Sequence, residues 1–203
     1  AGATNILREQ TQNRLNHDLI GQYDGKTLGV GKFSNVAAKK PISLTTPDSD
    51  FNTKEANAQT NGINLENIGV PVIAVIKKHV TPLKNLKEWL ENQAGQGGML
   101  KKSLLLIDDE SDYASVNTRE EEDPTSINKG IRDLLNSFDV STYLAVTATP
   151  FANILIDHEV TSEEFGADLF PRSFIWALDK PETYVGVSET LGESFVDVYS
   201  LDE

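Results

Sequence analysis

Three short apolar runs, separated by segments with helical spacing, are the feature that most constrains the fold of this chain. The runs are VPVIAVI at 70–76, SLLLI at 103–107 and TYLAVT at 142–147. Between them, apolar residues recur at helical intervals in 81–90 and in 126–138. Short β-branched and leucine-rich runs are typical of strands buried in a parallel sheet. Because strands alternate with helices, we predict an α/β fold with a parallel sheet sandwiched by helices.

A helix and a long loop are predicted to precede the first of these strands. TNILREQTQNRLNHDLIG has apolar residues at roughly helical spacing, which predicts a helix at about 5–20 that Gly21 ends. Residues 21–68 are rich in Gly, Asn, Thr, Lys and Asp, which predicts a loop-rich excursion. The later helices are predicted to begin after caps at Thr81, which precedes Pro82, and at Ser126.

The length and the composition limit the class of protein. A chain of 203 residues is enough for one ordinary domain. We place that domain at 1–153, followed by an acidic, peripheral extension at 154–203 with a strand in SFIWAL. The chain has no cysteine, which excludes disulfides and thiolate metal sites, and its three histidines are scattered. No apolar run approaches the roughly 18 residues of a membrane span, which predicts a soluble chain, and with no cysteine we expect a cytoplasmic protein.

The net charge of −13 is distributed unevenly along the chain. Residues 1–102 carry 13 Lys and Arg against 9 Asp and Glu, whereas residues 103–203 carry 5 against 22. A polyanion such as DNA can therefore still meet a basic face on the first half. The acidic half is expected to face solvent, a cation or another part of a larger protein.

Four carboxyl groups follow directly on the second apolar run. They are Asp108, Asp109, Glu110 and Asp112. Like charges at this spacing repel, so the cluster needs a compensating cation, a wet surface or a catalytic use. At the tip of a buried strand, Asp109 could hold Mg²⁺ through water and Glu110 could orient and deprotonate the water that attacks a γ-phosphate. The structural alternative is a solvated junction between strand and loop.

A pair of hydroxyl groups follows the third apolar run in TATP at 147–150. Pro150 prevents the strand from continuing inward. Thr147 and Thr149 could hydrogen-bond across to Asp112 or Glu110, which would link the state of a bound phosphate to movement elsewhere. The structural alternative is an ordinary Thr-Pro turn.

Together and in this order, these stretches resemble the first RecA-like domain of superfamily 2 helicases. DESD at 109–112 stands where that family has its DEAD or DEAH box, and TATP stands where it has its Ser-Ala-Thr motif. More closely, AGATNILREQTQNRL, LLLIDDESDYASVNT and YLAVTATPFANILID resemble a bacterial family called the Z-one domain. That family is labelled an endonuclease and occurs in helicase-like proteins of DNA modification and phage defence. The resemblance spans roughly residues 1–185 and implies an ATP-dependent DNA helicase or translocase.

The sequence departs from this family at one essential element. A P-loop, Gly-x-x-x-x-Gly-Lys-Ser/Thr, is needed to hold the β and γ phosphates, and the chain contains none. GQYDGKT at 21–27 has three residues between its glycines, so we interpret Gly25, Lys26 and Thr27 as loop residues. The resemblance implies that the P-loop strand lies upstream of Ala1 and a second RecA-like domain downstream of Glu203. ATP and Mg²⁺ would then bind only in the full-length protein, and this chain alone is expected to be inactive.

The resemblance also implies contacts with the nucleic-acid backbone in two segments. NILREQT at 5–11 looks like the helix after the second strand of the motor domain, and AVIKKHVTPLKNL at 74–86 like the next contacting segment. Arg and Lys neutralise phosphates, and a helix amino end after Thr81 would add backbone donors. Exposed basic residues that merely solubilise a helix are the alternative at each position. The predicted DNA contacts are Arg8, Gln12, Arg14, Lys77, Lys78 and Lys84.

Two other classes of function stay open on the sequence. The acidic cluster could bind two metal ions and cut phosphodiesters directly, although no E-x-K triplet and no His-Asn-His pattern occurs and the single D-x-K triplet, at 24–26, is far from the cluster in sequence. Alternatively, the site is degenerate and the acidic second half recruits a partner. Trp89 and Trp176 could stack on bases, but a Trp on a leucine-bearing helix such as 81–90 is more typical of a core.

Overall fold

The structure, a computed structural model of the chain, describes residues 2–23, 26–27, 40–94, 98–113, 126–149, 161–162, 166–167, 169 and 172–179. The chain divides into two compact units, Ala1–Arg172 and Ser173–Glu203. All helices and strands assigned within the described residues belong to the first unit.

The predicted N-terminal helix is confirmed. Helix α1 spans Asn5–Leu15 and continues as a π-helical turn over Asn16–Ile20. Thr4 caps α1 by accepting the Leu7 N–H at 3.3 Å, and Gly21 ends the turn in a left-handed conformation with φ of 82°. Strands β1, Gln22–Tyr23, and β2, Lys26–Thr27, then pair antiparallel. Lys26 and Thr27 therefore lie in a short strand and not in a loop, and Gly25 lies outside the described residues.

The predicted loop at 21–68 contains ordered elements in its second part. Strand β3, Ile42–Ser43, is followed by helix α2, Thr53–Gln59, and by a 3₁₀ turn, Leu65–Asn67. β3 pairs in parallel with β4, Val72–Ile73, which is shorter than the predicted strand at 70–76. The loop prediction is wrong here because sparse apolar residues, out of register with any period, are nevertheless buried: Leu44, Phe51, Ala56, Leu65 and Ile68.

Two further helices pack against each other. Helix α3 spans Val80–Ala94 and helix α4 spans Ser126–Asn136. α3 begins one residue before Thr81, so Thr81 lies inside the helix and is not its cap. Lys87 of α3 donates to Asp133 of α4 at 3.0 Å, and this contact raises the pKa of Lys87. These two helices are those predicted from the leucine and isoleucine spacing.

Strands β5, Leu100–Asp109, and β6, Phe138–Val146, form a parallel pair. Both are longer than the predicted strands, and the register shifts between Leu100 and Ser103. Leu104 and Leu106 pack against the core, whereas Leu105 and Ile107 on the opposite face are 59% and 54% exposed. The α/β class with parallel pairing is confirmed. Coverage of this pair by helices on both faces is not seen in the described part of the chain.

The core is built by the segment 42–76, which includes α2, together with α3, α4 and the strands β5 and β6. Trp89 is 2% exposed, its Nε1–H donates to Asn57 Oδ1 at 2.8 Å, and its ring meets that of Phe51 edge-on at 5.8 Å. Trp89 is therefore a core residue. Beyond β6, strands β7, Thr161–Ser162, and β8, Gly166–Ala167, pair antiparallel.

The second unit is described only at 173–179, where no helix or strand is assigned. The prediction of a strand in SFIWAL, 173–178, is therefore wrong. Its apolar side chains are solvent-exposed, with Trp176 at 78%. A short apolar run is insufficient for a strand, because strand formation depends on packing against neighbouring elements more than on intrinsic preference.

Candidate functional site

The two polar motifs lie side by side at one edge of the β5–β6 pair. The strands run parallel, with Asp108 opposite Ala145 and Asp109 opposite Val146. Because β5 ends at Asp109 and β6 ends at Val146, the segments that follow leave the pair at the same edge. The sequence prediction that the carboxylates after Ile107 and the hydroxyls before Pro150 share one edge is confirmed.

Asp112 joins the two motifs through hydrogen bonds. It accepts from Thr147 Oγ1 at 2.6 Å and from Thr149 Oγ1 at 2.5 Å. The Thr149 N–H in turn donates to Thr147 Oγ1 at 2.9 Å. The hydroxyls of Thr147 and Thr149 favour the charged carboxylate and lower the pKa of Asp112. Of the two acceptors that the sequence left open, Asp112 is the one that the threonines contact.

Glu110 occupies an unusual backbone conformation directly after the strand. Its φ is 53°, in the left-handed region that side-chain-bearing residues seldom adopt. The turn is closed by the Tyr113 N–H, which donates to the Glu110 carbonyl at 2.9 Å. It is also tied to β6, because the Ser111 N–H donates to the Val146 carbonyl at 3.1 Å. The turn Glu110–Tyr113, called the acidic turn below, is thus fixed to both strands.

Asp109 and Glu110 present their side chains to solvent at this edge. Both residues are exposed, and Asp109 Oδ1 accepts the Glu110 N–H at 3.1 Å. One carboxylate at a strand end fits a magnesium ion that keeps most of its ligands as water and phosphate oxygen. Across the described ranges, no three His, Asp or Glu side chains are grouped so that they alone could hold a metal ion.

Asp108 lies on the other side of the strand and is paired inside the protein. Its Oδ1 is 2.7 Å from Lys78 Nζ, and both side chains are 4% exposed. Its Oδ2 accepts from the Tyr143 hydroxyl at 2.8 Å. The sequence analysis predicted that the acidic cluster needs a compensating cation. For Asp108 that cation is Lys78 of the chain itself.

No family model matches the chain, and it matches no curated protein and no solved structure. Separately, none of the helices within the described ranges is both long and apolar enough to cross a membrane.

Three of the six predicted DNA contacts lie in the interior. Arg8 is 3% exposed, and its guanidinium donates to the carbonyls of Thr46 and Pro47 at 2.9 and 2.5 Å. Gln12 is fully buried and accepts from the Thr45 hydroxyl at 2.7 Å. Together with the buried Lys78, they have no free surface for a phosphate. The interpretation of these three as DNA contacts is corrected, because their polar groups satisfy buried main-chain and side-chain partners.

The other three predicted DNA contacts remain accessible. Arg14 and Lys84 are exposed, and Lys84 lies 3.7 Å from Glu88 on its own helix. Lys77 is partly exposed and donates to Asn5 Oδ1 at 3.0 Å. The helix end offers less than predicted, because the Thr81 N–H donates to His79 Nδ1 at 3.4 Å.

Sequence reasoning did not find the Lys78–Asp108–Tyr143 network. Lys77 and Lys78 stand together, so nothing in the local pattern distinguishes the partly exposed lysine from the buried one. Strand alternation carries a usable signal, since Leu104, Leu106 and Asp108 share one face of β5. A carboxylate on the core face requires a buried cation, and a basic residue after the apolar run 70–76 is a candidate for that cation.

Proposed function

We propose that this chain is part of the first motor domain of an ATP-dependent DNA helicase or translocase of bacterial DNA modification or phage defence. The observation that carries the proposal is the pair of hydrogen bonds from Thr147 and Thr149 to Asp112 across neighbouring strand ends. An acidic turn and a hydroxyl pair that touch at the carboxyl edge of parallel strands suit a site that senses a bound phosphate. The resemblance of DESD and TATP to superfamily 2 motifs supports the same proposal, which includes a RecA-like arrangement of the sheet.

Within this proposal each residue of the edge has a separate role. Asp109 would hold Mg²⁺ through water, and the ion would neutralise charge on the phosphates of ATP. Glu110 would orient and deprotonate the attacking water, because it is exposed on the acidic turn next to Asp109. Asp112 with Thr147 and Thr149 would transmit the state of the phosphate to β6. Arg14, Lys77 and Lys84 are the accessible residues proposed to contact DNA.

The P-loop and the second RecA-like domain would be supplied by a longer protein that contains this chain. This chain alone is then expected to bind nucleotide poorly and to hydrolyse none. Steady hydrolysis of ATP by the 203-residue chain would contradict the proposed division of the site.

The decisive experiment measures DNA-stimulated ATP hydrolysis by the longer protein and by its Glu110→Gln variant. Glu110→Gln keeps the shape of the side chain and removes the base, so hydrolysis should fall by about 100-fold or more while ATP binding persists. Glu88→Gln is the matched control, because Glu88 is an exposed glutamate on α3 whose carboxylate lies 3.7 Å from Lys84 Nζ on the same helix. Equal activity of Glu110→Gln and the wild type would refute the proposal.

The same preparations test the nuclease alternative. Supercoiled plasmid is incubated with the wild type and with Asp109→Ala in Mg²⁺ or Mn²⁺. Cleavage that Asp109→Ala abolishes would assign the acidic cluster to phosphodiester hydrolysis and not to ATP.

A further inference from the structure

Lys78 uses its whole hydrogen-bonding capacity on the acidic turn and on Asp108. Nζ lies 2.7 Å from the carbonyls of Asp109 and Glu110 and 3.2 Å from that of Tyr113. It also lies 2.7 Å from Asp108 Oδ1. An ammonium group has three N–H donors, so these four acceptors already exceed what it can serve. Lys78 is therefore committed to the protein and has no donor left for a ligand.

Two of these carbonyls control the conformation of Glu110. The Asp109 carbonyl belongs to the peptide plane before the Glu110 Cα, and the Glu110 carbonyl belongs to the plane after it. The dihedral angles of Glu110 set how these two planes are oriented relative to each other. One ammonium that holds both carbonyls at 2.7 Å thus fixes both angles. This accounts for a non-glycine residue with φ of 53°, a conformation that persists only where its surroundings over-determine it.

Lys78 is itself held in place by contacts with Asp108 and with the backbone of Gly2. Asp108 neutralises its charge, and the Tyr143 hydroxyl holds Asp108 from β6. The backbone N–H of Lys78 donates to the Gly2 carbonyl at 3.3 Å. A buried ammonium is stable only with such a partner, because an unpaired charge in the interior is strongly disfavoured.

We infer that Lys78 is a positioning residue that holds Glu110 in its left-handed conformation and so aims the carboxylates of the acidic turn. Asp108 and Tyr143 act through Lys78 and touch no ligand. The role in ATP hydrolysis rests on the proposed function, whereas the role in fixing the turn does not. Lys78 would then govern how fast a bound nucleotide reacts rather than how tightly it binds.

The first test follows the backbone of Glu110 by NMR in the 203-residue chain. Lys78→Met alone leaves Asp108 buried without a cation and is expected to lower the melting temperature sharply. Lys78→Met/Asp108→Leu removes both charges, so it should regain most of that loss. In this double variant the ¹³Cα and ¹³Cβ shifts of Glu110 are expected to leave their left-handed values, since no single donor then holds the Asp109 and Glu110 carbonyls together.

Lys77→Met is the matched control. It removes the neighbouring lysine, whose Nζ contacts Asn5 at the surface, and should leave the Glu110 shifts at wild-type values. Wild-type Glu110 shifts in the folded double variant would overturn the inference. A melting temperature of Lys78→Met equal to that of the wild type would overturn it too, because the ion pair would then not be holding the turn.

The second test separates the positioning role from the proposed function. In the longer protein, Lys78→Met/Asp108→Leu should lower kcat for ATP by about 100-fold, as a misplaced catalytic group does, with little change in KM. If KM rose while kcat held, Lys78 would serve nucleotide binding and the inference would be wrong. If the wild type hydrolysed no ATP, the proposed function would fail, and the Glu110 shifts would still decide the role of Lys78.

Discussion

Asp108 and Asp109 are neighbours in sequence and occupy opposite environments. The Asp108 side chain is 4% exposed and contacts Lys78 and the Tyr143 hydroxyl, whereas Asp109 is exposed and its carboxylate accepts the N–H of the next residue. The strand produces the difference, because successive side chains of β5 point to opposite faces. Two residues of identical chemistry are thereby assigned to different tasks.

The acidic cluster therefore has two parts, a buried support and an exposed surface, which are called the foundation and the working surface below. The foundation is the network of the buried Lys78 and Asp108 with the half-buried Tyr143, in which each charge is paired because burial makes an unpaired charge costly. The working surface is the acidic turn, whose carboxylates can stay charged in water. Changes to the foundation should therefore reduce stability, and changes to the surface should alter chemistry.

The largest effect is expected from removing the two aspartates one at a time. Asp108→Ala leaves the Lys78 ammonium buried without its anion, which should lower the free energy of unfolding by about 3–5 kcal/mol. Asp109→Ala removes an exposed carboxylate and should change it by less than about 0.5 kcal/mol. Urea unfolding at neutral pH measures both. Equal losses would break the comparison, since they would mean that both side chains share one environment.

A smaller effect is expected from Tyr143→Phe. The substitution keeps the ring and removes the hydroxyl that donates to Asp108 at 2.8 Å, so the charged acceptor loses one buried partner. A hydrogen bond to a charged group contributes about 2 kcal/mol, and urea unfolding should show a loss of that size. Thr142→Val, at an exposed neighbouring position of β6, serves as the control and should be nearly neutral. A neutral Tyr143→Phe would show that Lys78 alone satisfies Asp108.

Sequence reasoning could reach the working surface and not the foundation. The motifs at 109–112 and 147–150 each follow a short apolar run that is typical of a buried parallel strand, so their meeting at one edge could be predicted. The network of Lys78, Asp108 and Tyr143 could not be predicted. It depends on whether Lys77 or Lys78 points into the interior, and the local sequence pattern does not distinguish the two. The burial of Arg8 and Gln12 was missed for the same reason, because their partners lie in 43–47, more than 30 residues away.

The fold shows the same limit. Long periodic segments such as α1, α3 and α4 could be placed within a few residues. The elements at 42–67 could not, because their apolar residues are buried by tertiary packing and follow no period. The full lengths of β5 and β6 were also missed, since their first residues, Leu100 and Phe138, adjoin segments that read as loop and helix.

The hydroxyl contacts of Asp112 should make stability depend on pH in a specific direction. Its folded pKa is lowered by Thr147 and Thr149, so its contribution is complete above the unfolded pKa of about 3.9. As the pH falls through the lower, folded pKa, that contribution is lost. Thr147→Val/Thr149→Val should therefore cost about 1 kcal/mol at neutral pH and less in acid.

This prediction is checked by two measurements on the threonine variant. Urea unfolding from neutral pH to below pH 4 should show the deficit shrinking as Asp112 protonates, and NMR titration should show the pKa of Asp112 rising toward about 3.9. In an Asp112→Asn background the same threonine substitutions should leave the pH dependence unchanged. A deficit that is equal at all pH values would assign the hydroxyls a packing role only.

The smallest effect is expected from Gly2→Ala, which sharpens the boundary between foundation and surface. A Cβ at this position would lie 2.7 Å from Glu110 Oε2 and 2.8 Å from Leu7 Cδ1. Both atoms are ends of flexible side chains, so they can swing aside, and the free energy of unfolding should change by less than about 0.5 kcal/mol. The Glu110 carboxylate should move while its backbone shifts stay left-handed, because Lys78 and not Gly2 holds the two carbonyls.

Gly69→Ala is the matched control for this last substitution, since a Cβ there meets nothing within 4 Å. It should leave both the side-chain and the backbone signals of Glu110 unchanged. If Gly2→Ala moved the backbone of the acidic turn as far as removal of Lys78 does, the N-terminal segment would belong to the foundation. The side chain of Glu110 would then be set from two sides, and the separation between a buried support and an exposed working surface would no longer hold.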